Sequence, residues 1–201
     1  YSEKICIIKI LRLKMLRKKI EREEKAFILD FLKNGYPTDM RPLHQKTAIA
    51  QAIGLNKFTL LEVVPKKDEF LQPLEEVYIG EGKRDKIHHI IGRLPPSKLT
   101  NTARLELDDA VNTLIDTKEE EFLNFFNKAG PINMRMHQLE LLPGIGKRHT
   151  EEILKEREES DFVSFADITE RVKLVPNPKN VILKRILVEL NNEDKHKIFT
   201  A

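Results

Sequence analysis

The sequence has one cysteine, Cys6, and no tryptophan. A lone thiol forms no intrachain disulfide, and without a second cysteine the six histidines give none of the paired Cys/His spacings of a structural zinc site. No apolar run approaches the roughly 18 residues that a membrane helix needs. The most apolar N-terminal stretch, Ile5 to Met15, is broken by Lys9, Arg12 and Lys14, so neither a membrane span nor a secretory leader is expected. Glycine (8) and proline (10) are scattered, which excludes collagen-like and low-complexity sequence. These absences predict a cytoplasmic protein without metal or cofactor.

What is present is the composition of a globular chain: 40% hydrophobic and 33% charged over 201 residues, enough for one or two domains with a real core. The net charge of +3 is unevenly spread. Residues 1–25 carry nine Lys/Arg against four Glu, residues 26–92 nine against nine acids, and residues 93–201 seventeen against nineteen. The basic excess is therefore an N-terminal extension, residues 1–22. The remainder lacks the global positive field of a strong nonspecific nucleic-acid binder, so such binding would need local patches or fixed backbone donors.

Residues 23–95 read as β-rich. Ala26–Phe31, Lys57–Val64 and Glu76–Ile79 are short runs of β-branched or aromatic residues, punctuated by Asn34-Gly35, Gly54, Pro65 to Asp68 and Gly80-Glu81-Gly82. Closely spaced short strands predict a small closed barrel. After Pro95-Pro96 the period becomes helical. Leu107, Val111, Leu114 and Ile115 share a helix face; Thr117 and Glu120 read as a capping box ahead of Phe122 to Phe126; Gly130-Pro131 ends that helix. The fold class expected is α+β with two domains: a small OB-like β-barrel over 23–95 and an all-α domain over 96–201.

The most specific segment is Leu139 to Leu154, whose core Leu142-Pro143-Gly144-Ile145-Gly146-Lys147 sits between helical patterns and reads as a helix-hairpin-helix over 139–154. Pro143 helps end the first helix, the glycines permit positive φ and close approach, and Ile145 plugs the gap between helices. Such a turn leaves the amides near Gly146, Lys147 and Arg148 at a helix N-terminus, where free N–H groups and the helix dipole favour a phosphate. A contact to backbone phosphate carries little sequence preference. The bland alternative is an αα-hairpin whose glycines serve only the turn. A degenerate second copy spans 164–190: Ser164 and Asp167 cap a short helix, and the loop Leu174 to Lys179 lacks both glycines, leaving Asn177 as the candidate left-handed residue.

In the barrel, the candidates for stacking or phosphate contact are Tyr36, Lys57, Phe58, Lys66, Lys67, Tyr78, Lys83, Arg84 and Lys86, of which Gly82 to Lys86 forms the local basic loop. His88 and His89, as neighbours on a strand, should point to opposite faces. The acid-rich run Glu156 to Asp161 reads as an exposed helix end. A glycosylase reading of Asp161 or Asp167 lacks the surrounding pattern and the length for a base-flipping cleft.

With Phe58-Thr59-Leu60-Leu61-Glu62, Val77-Tyr78-Ile79-Gly80 and His137 to Lys147, the chain resembles an uncharacterised archaeal family of predicted RNA- or nucleic-acid-binding proteins over roughly residues 23–190. The resemblance implies an OB-like barrel followed by a helix-hairpin-helix domain and brings no established activity. The expected function is non-enzymatic binding of RNA, ahead of DNA, through backbone phosphate. The alternatives are a protein-interaction adaptor in a ribonucleoprotein complex and a nuclease or glycosylase.

Overall fold

A computed structural model describes residues 23–200; the basic extension read at residues 1–22 lies outside the described residues. Five antiparallel strands, β1 (Lys25–Leu32), β2 (Ile49–Gly54), β3 (Leu60–Pro65), β4 (Glu76–Tyr78) and β5 (Ile87–Arg93), form one sheet in the order β4-β1-β2-β3-β5. The first four strands make a Greek key, with β4 returning beside β1. Strands β4 and β5 end the order without pairing to each other. The sheet is thus a curled half-barrel, not the closed barrel expected. An ion pair between Glu75 and Lys86 links the two edges where their strands begin.

Strands β1 and β2 depart from strict alternation. Every residue of β2 is buried, because one face lies inside the half-barrel (Ala50, Ala52) and the other meets the helices (Ile53). Its polar residue, Gln51, donates to the Tyr36 hydroxyl (3.0 Å) and the Lys98 carbonyl (2.9 Å) and accepts from the Thr100 amide (2.9 Å). A bulge at Leu29 in β1 turns that side chain toward the helices while Ile28 stays inside.

The helices are α1 (Asn101–Thr117), α2 (Glu119–Lys128), α3 (Lys147–Glu159), α4 (Phe165–Arg171) and α5 (Pro178–Leu190), with a short hairpin of β6 (Pro131–Asn133) and β7 (Met136–His137) between α2 and α3. Thr100 starts α1, accepting from the Ala103 amide (3.0 Å) and donating to Asp30 (2.6 Å), so the helix is bolted to the sheet. The expected capping box at Thr117 and Glu120 is absent. Thr117 is the last residue of α1, its hydroxyl donates to the Thr113 carbonyl (2.8 Å), and α2 opens on three glutamates that suit the helix N-terminus.

The larger core runs from Leu29, Ile53, Phe58 and Leu60 of the sheet section into all five helices. Residues 96–201 are not all-α as expected, since β6 and β7 pair within them, and the segments on either side of residue 96 share this larger core while a second cluster fills the half-barrel. Among the described residues no helix is long and apolar enough to cross a membrane.

Candidate functional site

The turn at residues 142–146 is built by local chemistry. A four-residue 3-10 turn, Gln138–Leu141, takes the place of the first helix of the expected hairpin, because β6 and β7 occupy the residues before it. His137 caps this turn: its Nδ1 accepts from the Leu139 amide (3.2 Å), and its own amide donates to Glu140 (2.9 Å). Burial, aided by the nearby Arg157 charge, lowers the His137 pKa and so favours the neutral ring that can accept. The amide of Ile145 then donates to the Leu142 carbonyl (3.0 Å), and the Ile145 side chain is buried in the main core.

The two glycines of the turn differ. Gly144 has φ +85°, and a Cβ there would meet Pro176 Cγ at 3.2 Å. The loop of the degenerate second copy thus packs directly on the first. Gly146 has φ −102° and ψ −177°, extended backbone open to any residue, and a Cβ on it would meet nothing within 4 Å. As the N-cap of α3 it supplies no side-chain cap, although Ser, Asn or Asp would cap better than glycine. The Thr150 amide bonds the Gly146 carbonyl (3.0 Å), whereas the amides of Gly146, Lys147, Arg148 and His149 have no hydrogen-bond partner among the described residues. Gly146, Lys147 and Arg148 are exposed, and neither cation is ion-paired among the described residues.

A buried ion pair holds this turn from behind. Arg185 (2% exposed) pairs with Glu189 (0% exposed) at 2.8 Å and donates to the Leu141 carbonyl (3.0 Å), just ahead of the turn. It also reaches Asp194 (2.8 Å) and the His196 carbonyl. Glu189 accepts three successive amides, those of Ile198 (2.9 Å), Phe199 (3.0 Å) and Thr200 (2.9 Å). The sequence reading missed this pair, since an Arg and Glu four apart on a helix look like any solvated face.

The second copy keeps its Ser164 cap, which accepts from the Asp167 amide (3.0 Å). Its left-handed residue is Leu174 (φ 59°), not Asn177, which has φ −50° and caps α5 by accepting from the Asn180 amide (3.1 Å). Asp167 accepts from the Val163 amide (3.1 Å) and pairs with Arg171 (3.3 Å), so it is occupied structurally. The acid-rich run is not merely an exposed end: Arg157 donates to the Phe126 and Ala129 carbonyls (3.0 and 2.9 Å), and Glu156 pairs with Arg171 (3.4 Å).

The sheet candidates fare less evenly. Phe58 is 3% exposed, takes φ 53° and packs near Phe122 (centroids 6.4 Å apart), so its ring is core and not a stacking platform. Lys57 lies in the β2–β3 turn, where Glu23 accepts from the Asn56, Lys57 and Thr59 amides (2.7, 2.8 and 3.2 Å). Lys86 pairs with Glu75, Arg84 donates to the Gly80 carbonyl (2.8 Å), and Lys83 is exposed. Phe70, 65% exposed and edge-on to Phe31 at 5.0 Å, is the exposed ring that sequence reasoning passed over. His88 and His89 share one side of β5: a bulge opposite Val64 and Pro65 brings their Nδ1 atoms to 2.8 Å, against the alternation expected.

Comparison with known proteins gives consistent results. A family described as "Protein of unknown function (DUF655)" matches residues 22–201. The uncharacterised protein MJ0038 of Methanocaldococcus jannaschii is 41% identical over 177 residues, covering 88% of this chain and 78% of that protein. The crystal structure of Af1531 from Archaeoglobus fulgidus, assigned to the same family, superposes with a TM-score of 0.83 at 42% identity, covering 89% of this chain and all of that one. The chain belongs to the DUF655 family.

Proposed function

We propose that this protein binds nucleic acid, RNA ahead of DNA, by holding backbone phosphate on the amides of Gly146 to His149, with Lys147 and Arg148 adding charge. One observation carries the reading. Gly146 has neither a positive φ nor a neighbour that a side chain would strike, so the fold does not require glycine there, whereas a phosphate approaching four free amides does. The Greek-key half-barrel is compatible with an OB-like fold, and the packing of Pro176 on Gly144 supports a paired hairpin arrangement. The preference for RNA rests on the family resemblance. Contacts of this kind grip a strand without reading its bases, and the reading assigns no catalytic residue.

Fluorescence anisotropy with labelled single-stranded RNA across a salt series tests the proposal. Affinity should fall log-linearly with salt, with a slope of about −0.7 per phosphate contact. Lys147→Glu/Arg148→Glu should weaken binding at least about tenfold for every sequence tried and flatten that slope. Unchanged affinity in the folded double variant removes the site. Val163 and Leu174, 79% and 84% exposed at the two ends of α4, favour a second reading in which the degenerate copy docks a protein partner. A complex that survives the charge reversal and is lost on Val163→Asp/Leu174→Asp would select it.

A further inference from the structure

A cleft of about 350 Å³ opens where the β2–β3 turn, helix α2 and the C-terminal tail meet, within the roughly 300–1,000 Å³ typical of small-molecule sites. Lys57 lines it from the sheet side, Asn124, Phe125 and Lys128 from α2, Gln138 from the lead-in to the hairpin, and Phe199 from the tail. The Phe125 and Phe199 rings meet edge to face, centroids 5.1 Å apart, and both are only half-buried. The exposed Lys128 ammonium, the Asn124 and Gln138 carboxamides and an aromatic corner select a flat anion whose edge both donates and accepts. The acid on the rim, Glu121, is exposed and faces Lys118 (3.6 Å).

The tail wall is held by an unusual device. Glu189, fully buried, fixes Phe199 through the Ile198, Phe199 and Thr200 amides, and Arg185 balances its charge while gripping the Leu141 carbonyl. A buried ion pair is a weak source of net stability but a rigid positioning device. Here one pair fixes both the wall of the cleft and the approach to the hairpin.

We propose that this cleft binds a nucleoside monophosphate group, the base against Phe125 and Phe199 and the phosphate on Lys128, either as a free nucleotide or as an unpaired nucleotide of a bound strand. The proposal rests on the nucleic-acid reading above and adds a second, base-contacting subsite to it. Its test uses the full chain labelled with 15N, titrated separately with AMP, with UMP and with a single-stranded RNA hexamer, in the wild type, in Lys128→Glu and in Lys147→Glu/Arg148→Glu. Lys128 is exposed, so its variant should keep a dispersed native spectrum.

The expected result is that a mononucleotide or the hexamer shifts the Asn124 and Lys128 amides and gives NOEs from base protons to the Phe125 and Phe199 rings. Lys128→Glu should weaken that binding about tenfold, the effect of losing roughly 1.4 kcal/mol. Response to both ligands marks a nucleotide pocket, and response to the hexamer alone marks a strand subsite; each supports the proposal. Hairpin amides that respond to the hexamer while the cleft amides stay fixed with all three ligands overturn the cleft and leave the hairpin reading standing. Cleft amides that respond while the hairpin amides never do, with hexamer affinity indifferent to Lys147→Glu/Arg148→Glu, overturn the hairpin reading and leave the cleft.

Discussion

At Gly144 any side chain would have to adopt φ +85° and press on Pro176. Gly144→Ala should therefore destabilise the protein by about 1–2 kcal/mol or more, visible as a lower midpoint in urea. Gly146→Ser is the opposite case. Serine caps a helix at least as well as glycine and has open space here, so stability should hold or rise by a few tenths of a kcal/mol while RNA affinity falls. A variant that keeps both its stability and its affinity would contradict the role given to Gly146. The need for glycine at 144 was legible because turn chemistry is local. Phe58 was misread because its left-handed backbone and its place beside Phe122 are set by tertiary packing, which an aromatic after a lysine does not announce. Arg185 and Glu189 were illegible for the same reason, their partners lying in the tail and at Leu141. Arg185→Met should cost about 3–5 kcal/mol by leaving Glu189 buried and unpaired. Hydrogen exchange should rise first at residues 198–200, and equal protection there in the variant would contradict that account.

Among the elements, the 3-10 turn ahead of the hairpin is the one with a pH signature. His137 has its pKa lowered by burial and by Arg157, so the folded state favours the neutral ring more than the unfolded chain does. The sign follows from linkage: its contribution is fully present above the ordinary histidine pKa of about 6.5 and is lost as pH falls below it toward the lowered folded value. Thermal midpoints should thus fall between pH 7 and 5 more steeply in the wild type than in His137→Asn, whose carbonyl can accept from the Leu139 amide without titrating. Parallel curves would show that His137 does not set the turn. Helices α1, α3 and α5 were legible from their apolar period, and the stop at Gly130-Pro131 from its breakers. Strand β2 was not, because burial on both faces replaces alternation with alanines and a wired glutamine; the strand at His88 and His89 was read, but not the bulge that puts the two rings side by side.

For the molecule as a whole, the switch from strands to helices was readable, but the packing across it was not, since contacts such as Gln51 to Lys98 and Thr100 to Asp30 join residues far apart in sequence. The shared core predicts a single cooperative thermal transition reported alike by strand and helix signals. Two separated transitions would show that the sheet and the helices stand alone. The most direct measurement of the central claim is the amide spectrum of the full chain on addition of single-stranded RNA at low salt. Downfield proton shifts are expected at Gly146, Lys147, Arg148 and His149, reversed as salt is raised and absent in Lys147→Glu/Arg148→Glu. Bound RNA that leaves those four amides unmoved would contradict that claim.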